Sequence, residues 1–487
     1  LQISPIVVLN NKKMVQVEPS DILDTVRKYS SERSVLDEAT TISIDYSLLK
    51  IEAIKAVIDK QGKIGSKQGI KIKASEGEGD EINVNDEPDN GEESDEGDKE
   101  TKISKEDEID YKGKFAMYYA RILFFSFLTD SLIKSLQEII DEINSNSNNL
   151  RIATNLNLEA SILSLFQKNI NPFILSELDY KIQNINSLAN DTAISPIERA
   201  SNAMQRFSRL SDSEIVTPET VTEKIINTIP NGSIGNTTLM LDIASKQGEF
   251  VYAIYKKFGK EVANNFYSIP TSNIAYEFTR KVYKLLELNL ENIEENYTSY
   301  DLIEQNNLTV DETIMINKNT MKFDVIVGNP PYQESAKSGN RSKPIYNKFV
   351  ELSKKLNPNF ISLIIPSRWM SGGLGLSNFR DSMLSDKRMS KLTDYPVSNE
   401  MFPGVEVKGG ICYFLWNNIH KNKCAITSVR GEDSYGPTKR SLDEFDILVR
   451  DSRAVEILNK ILTFDAKYMT KIEQFQYHLY FVNLEIR

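Results

Sequence analysis

The stretch FDVIVGNPPYQ, residues 323–333, carries the most suggestive chemistry in the chain. An apolar run suited to a buried strand, Phe323 to Val327, leads straight into Gly328, Asn329, Pro330, Pro331 and Tyr332. Each proline fixes φ and lacks an N–H, so the segment is stiff and offers acceptors in place of donors. Asn329 contributes an amide oxygen and Pro330 a main-chain carbonyl. Together they can accept both hydrogens of an exocyclic amine, while the Tyr332 ring gives a base a flat face to stack on. An amine held this way keeps its lone pair directed outward, as attack on an electrophilic methyl group requires. Basic residues Lys337, Arg341 and Lys343 follow in a Gly- and Ser-containing loop and suit contacts to nucleic-acid phosphates.

Two upstream segments have the look of ligand-binding turns. In LDIASKQGEF, residues 241–250, a short strand is expected to end at Asp242, and Gly248 stands before a helix. Glycine there lets the backbone approach a ligand closely. In VTPETVTEKII, residues 216–226, Thr217 suits a helix cap and Pro218 the first turn.

The elements that must position these residues follow from the apolar pattern. Short apolar runs at 239–244, 266–269, 323–328, 360–366 and 410–416 alternate with helical segments such as Glu249 to Phe258 and Ser272 to Glu287. Such alternation predicts βαβ units and a parallel sheet, hence an α/β fold with ligands beyond the carboxyl ends of the strands. Residues 111–212 have apolar residues at helical spacing, broken by Ser/Asn-rich stretches, and are expected to form a helical connector. Residues 1–75 mix a β-like run, Pro5 to Leu9, with helical patterns such as Ser47 to Ile58, and suggest no role. Residues 466–487 are expected to begin a further C-terminal element.

Composition narrows the classes. The net charge is −11, but Glu76 to Asp110 holds 17 acidic residues and 3 lysines, a local −14, so the rest of the chain carries +3. That segment is poor in large apolar side chains and is expected to be a disordered linker over 76–110. Two cysteines, Cys412 and Cys424, and two histidines, His420 and His478, argue against a disulfide framework, a zinc site or a histidine triad, and no metal is expected. The apolar run Ile122 to Leu128 is far shorter than the roughly 20 residues a bilayer demands, so no membrane partner is expected. The chain opens on Leu1 without a charged and apolar leader, as expected for a cytoplasmic protein or a piece of a longer one. GKIGSKQG at 62–69 has the wrong spacing for a nucleotide-binding loop, and Asp394 with Glu406 and Lys408 is a weak nuclease pattern.

The NPPY string resembles the signature of amino-group DNA methyltransferases. IYNKFVELSKKLNP, ISLIIPSRWMSGG, LSNFRDSML and FPGVEVKGGICYFLW are similar to stretches of the gamma-class adenine-N6 methyltransferases of restriction–modification systems, most of all the branch often fused to a helicase. The resemblance spans about residues 200–465. It implies a Rossmann-like S-adenosylmethionine-dependent methyltransferase sheet at 213–465, behind the N-terminal helical connector. It also implies methyl transfer to the N6 amine of an adenine flipped out of double-stranded DNA. In this family Asn329, Pro330, Pro331 and Tyr332 would be catalytic. Asp242, Ala244, Gly248 and Phe250 would cradle the cofactor's methionine end, with Thr217 and Pro218 closing over it, and Asp301 would approach its adenine. Lys246 stands where the family's first glycine would be, and the ribose-binding acid after the second strand is missing. Glu277 lies nearby, but its helical setting suggests solvated surface. Helicase and nuclease domains of a longer chain are the implied partners. Two alternatives stand beside this one. One is an NPPY methyltransferase of RNA or protein amides; the other is a DNA-binding or coupling module with a degenerate cofactor site.

Overall fold

A computed structural model describes residues 6–10, 13–17, 118–207, 210, 215–305, 308–333, 343–373 and 375–463. The expected linker at 76–110, the pattern at Ser47 to Ile58 and the element at 466–487 lie outside them. The chain divides into two compact units, Leu1–Leu363 and Ile364–Arg487.

In the first unit, β1 (Ile6–Asn10) and β2 (Lys13–Val17) form an antiparallel hairpin. Helices follow at 118–128, Leu136–Glu142, Ser147–Asn155, Ala160–Asn169, Pro172–Asn190 and Pro196–Arg206. The Ser/Asn-rich breaks become caps: Ser135, Asn146, Asn171 and Ser195 each accept a backbone N–H at a helix start. Phe124, Phe127 and Phe207 gather with Phe278 at centroid separations of 5.0–5.7 Å, so this helical region packs onto the helix Asn273–Leu285.

The centre of this unit is parallel. β3 (Met240–Ser245) lies between β4 (Phe266–Pro270) and a later strand. A small antiparallel sheet intervenes in the chain: β5 (Thr309–Val310), β6 (Thr313–Ile316) and β7 (Asn319–Met321). Asn317 and Lys318, both at positive φ, make its second turn. Then β8 (Val325–Gly328) pairs with β3 on one side and β9 (Phe360–Pro366) on the other. Both β3 and β8 are buried along their whole length, as strands covered on two faces must be. The order is β9-β8-β3-β4. The chain therefore runs outward from β3 to β4 and returns past β3 to β8, which makes the β3–β8 boundary a topological switch point. The architecture is α/β, as expected.

In the second unit, β10 (Met389–Tyr395) pairs antiparallel with β11 (Ile411–Asn417) and parallel with β12 (Cys424–Arg430), which pairs antiparallel with β13 (Asp433–Arg440). Among the described residues no helix is long and apolar enough to cross a membrane.

Candidate active site

The site is built where β3 and β8 end side by side, with Asp242 opposite Val327. Gly328 closes β8 at φ +155°, and a Cβ there would sit 3.2 Å from both Asp242 Oδ1 and Ile243 Cγ2. A side chain at 328 would thus push the Asp242 carboxylate away from the backbone that leads to Asn329. Gly248 at φ +75° opens the helix Glu249–Phe258 and turns the β3 loop back toward the same spot.

Five polar side chains meet there, all nearly excluded from solvent. Asp242 Oδ1 accepts from Ala244 N at 3.1 Å, while its buried Oδ2 has no partner among the described residues. Burial pushes the Asp242 carboxyl well above the ordinary carboxylate range, and the charge of Glu249 adds to this. The Ala244 N–H, Lys246 and the Ser245 side chain oppose the shift. Asn329, 4% exposed, donates Nδ2 to Thr217 Oγ1 at 3.2 Å. Its Oδ1 is buried and has no partner among the described residues. Thr217 Oγ1 donates to Glu249 Oε1 at 3.1 Å, and Glu249 Oε2 accepts from Gln247 N at 2.8 Å. Lys246 Nζ donates to the Asn329 main-chain oxygen at 2.6 Å.

The segments expected to act together therefore converge: Thr217, the 242–250 turn and Asn329 share one hydrogen-bonded cluster. Pro330 and Pro331 are buried and Tyr332 is half-buried. Ala244 and Phe250 are buried in the core, and Pro218 is half-buried. Asp301 lies in the helix Ser299–Glu304, where it forms a capping box with Thr298. Lys343 is exposed, whereas Lys337 and Arg341 lie outside the described residues.

Two expectations need correction. Thr217 does not cap the following helix. Pro218 occupies that position without a side-chain bond, because the Thr217 hydroxyl is engaged by Glu249. Glu277 is not solvated; it is 2% exposed and takes a bidentate bond from Arg151 at 2.9 and 2.8 Å and another from Asn155. Glu249 was not visible as a site residue in the sequence. An acid in the first turn of a helix is ordinary, and only its burial singles it out.

The comparisons with known proteins bear on the second half of this cluster. Residues 264–402 match the family model described as Eco57I restriction-modification methylase. The matched range includes Asn329 to Tyr332 and leaves out Thr217 and the 242–250 turn. A stretch of 139 residues is 38% identical to an "Uncharacterized adenine-specific methylase" of Mycoplasma pneumoniae, covering 28% of this chain. The chain spans 33% of that relative's length. Among solved structures, it is similar to a type I restriction-modification system methyltransferase subunit from Streptococcus thermophilus. That likeness has a TM-score of 0.41 and 13% identity over 68% of this chain and 74% of the other. It is also similar to the DrdV–DNA complex, at a TM-score of 0.47 and 12% identity over 90% of this chain and 48% of that one.

Proposed function

We propose that this chain is a site-specific DNA methyltransferase of a restriction–modification system, acting on the exocyclic N6 amine of adenine with S-adenosylmethionine as donor. The observation that carries the reading is the buried, unpartnered Oδ1 of Asn329 at the carboxyl end of β8. A buried acceptor left unpaired is costly and calls for an external donor. An aromatic amine is such a donor, and Pro330 and Tyr332 adjoin it in the chain.

The residues present also fit the cofactor. S-adenosylmethionine carries an α-ammonium and a sulfonium, and Asp242 offers an unpaired buried oxygen beside a second buried acid, Glu249. Gly248 leaves the backbone of the turn without a side chain, and Thr217 and Pro218 border the cluster. When bound, the cofactor would supply an electrophilic methyl group. The chain's own part is to hold and orient. Asn329 Oδ1 and the Pro330 carbonyl would take the two amine hydrogens, Tyr332 would stack on the extruded ring, and Lys246 would fix the Asn329 carbonyl. Catalysis would then be largely orientation.

The order Thr217, Asp242, Asn329 along the chain supports the gamma-class arrangement. Double-stranded DNA is the proposed partner, Lys337, Arg341 and Lys343 are proposed phosphate contacts, and a helicase and a nuclease are proposed to accompany the chain. Asp301 keeps only a proposed proximity to the cofactor's adenine, since its carboxylate already caps a helix. One observation favours a second reading: Lys246 brings a buried cation into the pocket proposed for a cationic cofactor. A coupling module with a degenerate cofactor site would show no heat on titration with millimolar S-adenosylmethionine. Incubation with methyl-labelled cofactor and DNA, RNA or protein tests the function. Label on DNA adenine alone is expected, and label on RNA or protein instead would overturn it.

A further inference from the structure

We propose that Glu249 is a positioning residue for methyl transfer: acting through Thr217, it fixes which edge of the Asn329 amide faces the target amine. The proposal rests on the adenine-methylation reading above. An asparagine amide has a donor end and an acceptor end of nearly equal size. Only the acceptor end can take a hydrogen from an amine; turned over, Asn329 would set its NH2 against the amine's own hydrogens. Something must therefore prevent the flip.

The hydrogen-bond directions identify it. A carboxylate can only accept, so the one hydroxyl hydrogen of Thr217 goes to Glu249 Oε1 at 3.1 Å. Thr217 Oγ1 is left with lone pairs alone, and these face Asn329. Nδ2 must then point at Thr217, at 3.2 Å, and Oδ1 must point away from it. A flipped amide would lose this bond and press Oδ1 against the Thr217 oxygen. Glu249 is itself held by two backbone donors, Thr217 N at 3.4 Å and Gln247 N at 2.8 Å. It also occupies the first turn of its helix, which holds it in place. Asn329, Thr217 and Glu249 are 4%, 2% and 1% exposed, so water does not compete for these bonds.

The test uses the full chain. Glu249→Gln keeps the shape but adds a donor, which frees the Thr217 hydrogen to turn toward Asn329. Glu249→Gln and Thr217→Val are each expected to lower kcat roughly 100-fold. The double variant should be no worse than either single change, and Thr217→Ser should recover most of what Thr217→Val loses. In an Asn329→Asp background, Glu249→Gln should no longer lower kcat, because a carboxylate has no donor end to misplace. Multiplying effects, or the same Glu249→Gln loss in both backgrounds, would overturn the proposal. A readout independent of turnover is the side-chain amide of Asn329 in asparagine-labelled protein, assigned by its disappearance in Asn329→Asp. Its hydrogens should exchange slowly in the wild type and at least about tenfold faster in Glu249→Gln. Equal exchange would overturn the relay. If the wild type methylates no DNA, the functional reading fails, yet amide exchange still decides whether Glu249 orients Asn329.

Discussion

Asp242 in β3 and Asp394 in β10 are both buried aspartates in strands, one in each unit, and their surroundings treat them oppositely. Asp394 is saturated. Arg450 grips it through Nε and Nη2 at 2.7 and 2.6 Å, and Ser367 Oγ donates at 2.7 Å. Arg450 also donates to the Gly409 carbonyl at 2.7 Å, tying down the loop that precedes β11. Among the described residues Asp242 meets no cation at hydrogen-bond distance: the Ala244 N–H and the Ser245 side chain are its neighbours, and Oδ2 has no partner. Asn329, its neighbour across the β3–β8 boundary, likewise keeps an unpartnered oxygen. A saturated buried acid holds a fold together, whereas an unsaturated one weakens the fold unless a ligand completes it. The weak nuclease pattern at Asp394 dissolves on the same comparison. Its carboxylate is already occupied, while Glu406 and Lys408 are exposed.

The difference can be broken or sharpened by substitution. Asn329→Ala should abolish methylation, by at least about 100-fold, with little change in melting temperature. Comparable activity in the variant would place the chemistry elsewhere. Arg450→Met should leave Asp394 buried without a cation, at a cost of about 3–5 kcal/mol in chemical denaturation, without acting on cofactor affinity. Tyr332→Ala should weaken capture of an extruded base by about 1–3 kcal/mol, measured by binding to DNA carrying a fluorescent adenine analogue. Asp242→Asn should leave the free protein at least as stable as the wild type near neutral pH while weakening S-adenosylmethionine in calorimetry.

The same aspartate predicts a pH dependence. The folded-state pKa of Asp242 is raised, so its contribution to stability is present under acid conditions and is lost as pH rises through that pKa. Subtracting the Asp242→Asn melting curve from the wild-type curve across a pH series should isolate a negative slope of at most about 1.4 kcal/mol per pH unit. Cofactor binding should show the opposite trend, tightening as Asp242 ionises, and a flat profile would remove Asp242 from the cofactor site.

Local pattern carried much of the fold. FISLIIP became β9 over the same residues, Glu249–Phe258 is a helix with the expected ends, and VIVG became β8 leading into Asn329. Each is a continuous apolar run or a helical stripe bounded by Gly or Pro, so neighbours in sequence decide it. What escaped notice depends on distant partners. Glu277 seemed solvated because nothing nearby in sequence reveals that Arg151 and Asn155 lie over it, 126 and 122 positions away. Thr217 suited a cap until Glu249, 32 positions on, took its hydroxyl. Lys246 was visible as a departure from the expected glycine, but not as the donor to the Asn329 carbonyl. The turn at Asn317 and Lys318 is local by contrast, two positive-φ residues between β-type runs.

The most direct measurement is nucleoside mass spectrometry of duplex DNA incubated with S-adenosylmethionine and either the wild-type chain or Asn329→Ala. The account predicts N6-methyladenine from the wild type and none above background from the variant. No N6-methyladenine from an intact wild-type chain that binds both ligands, or equal amounts from the two proteins, would contradict it.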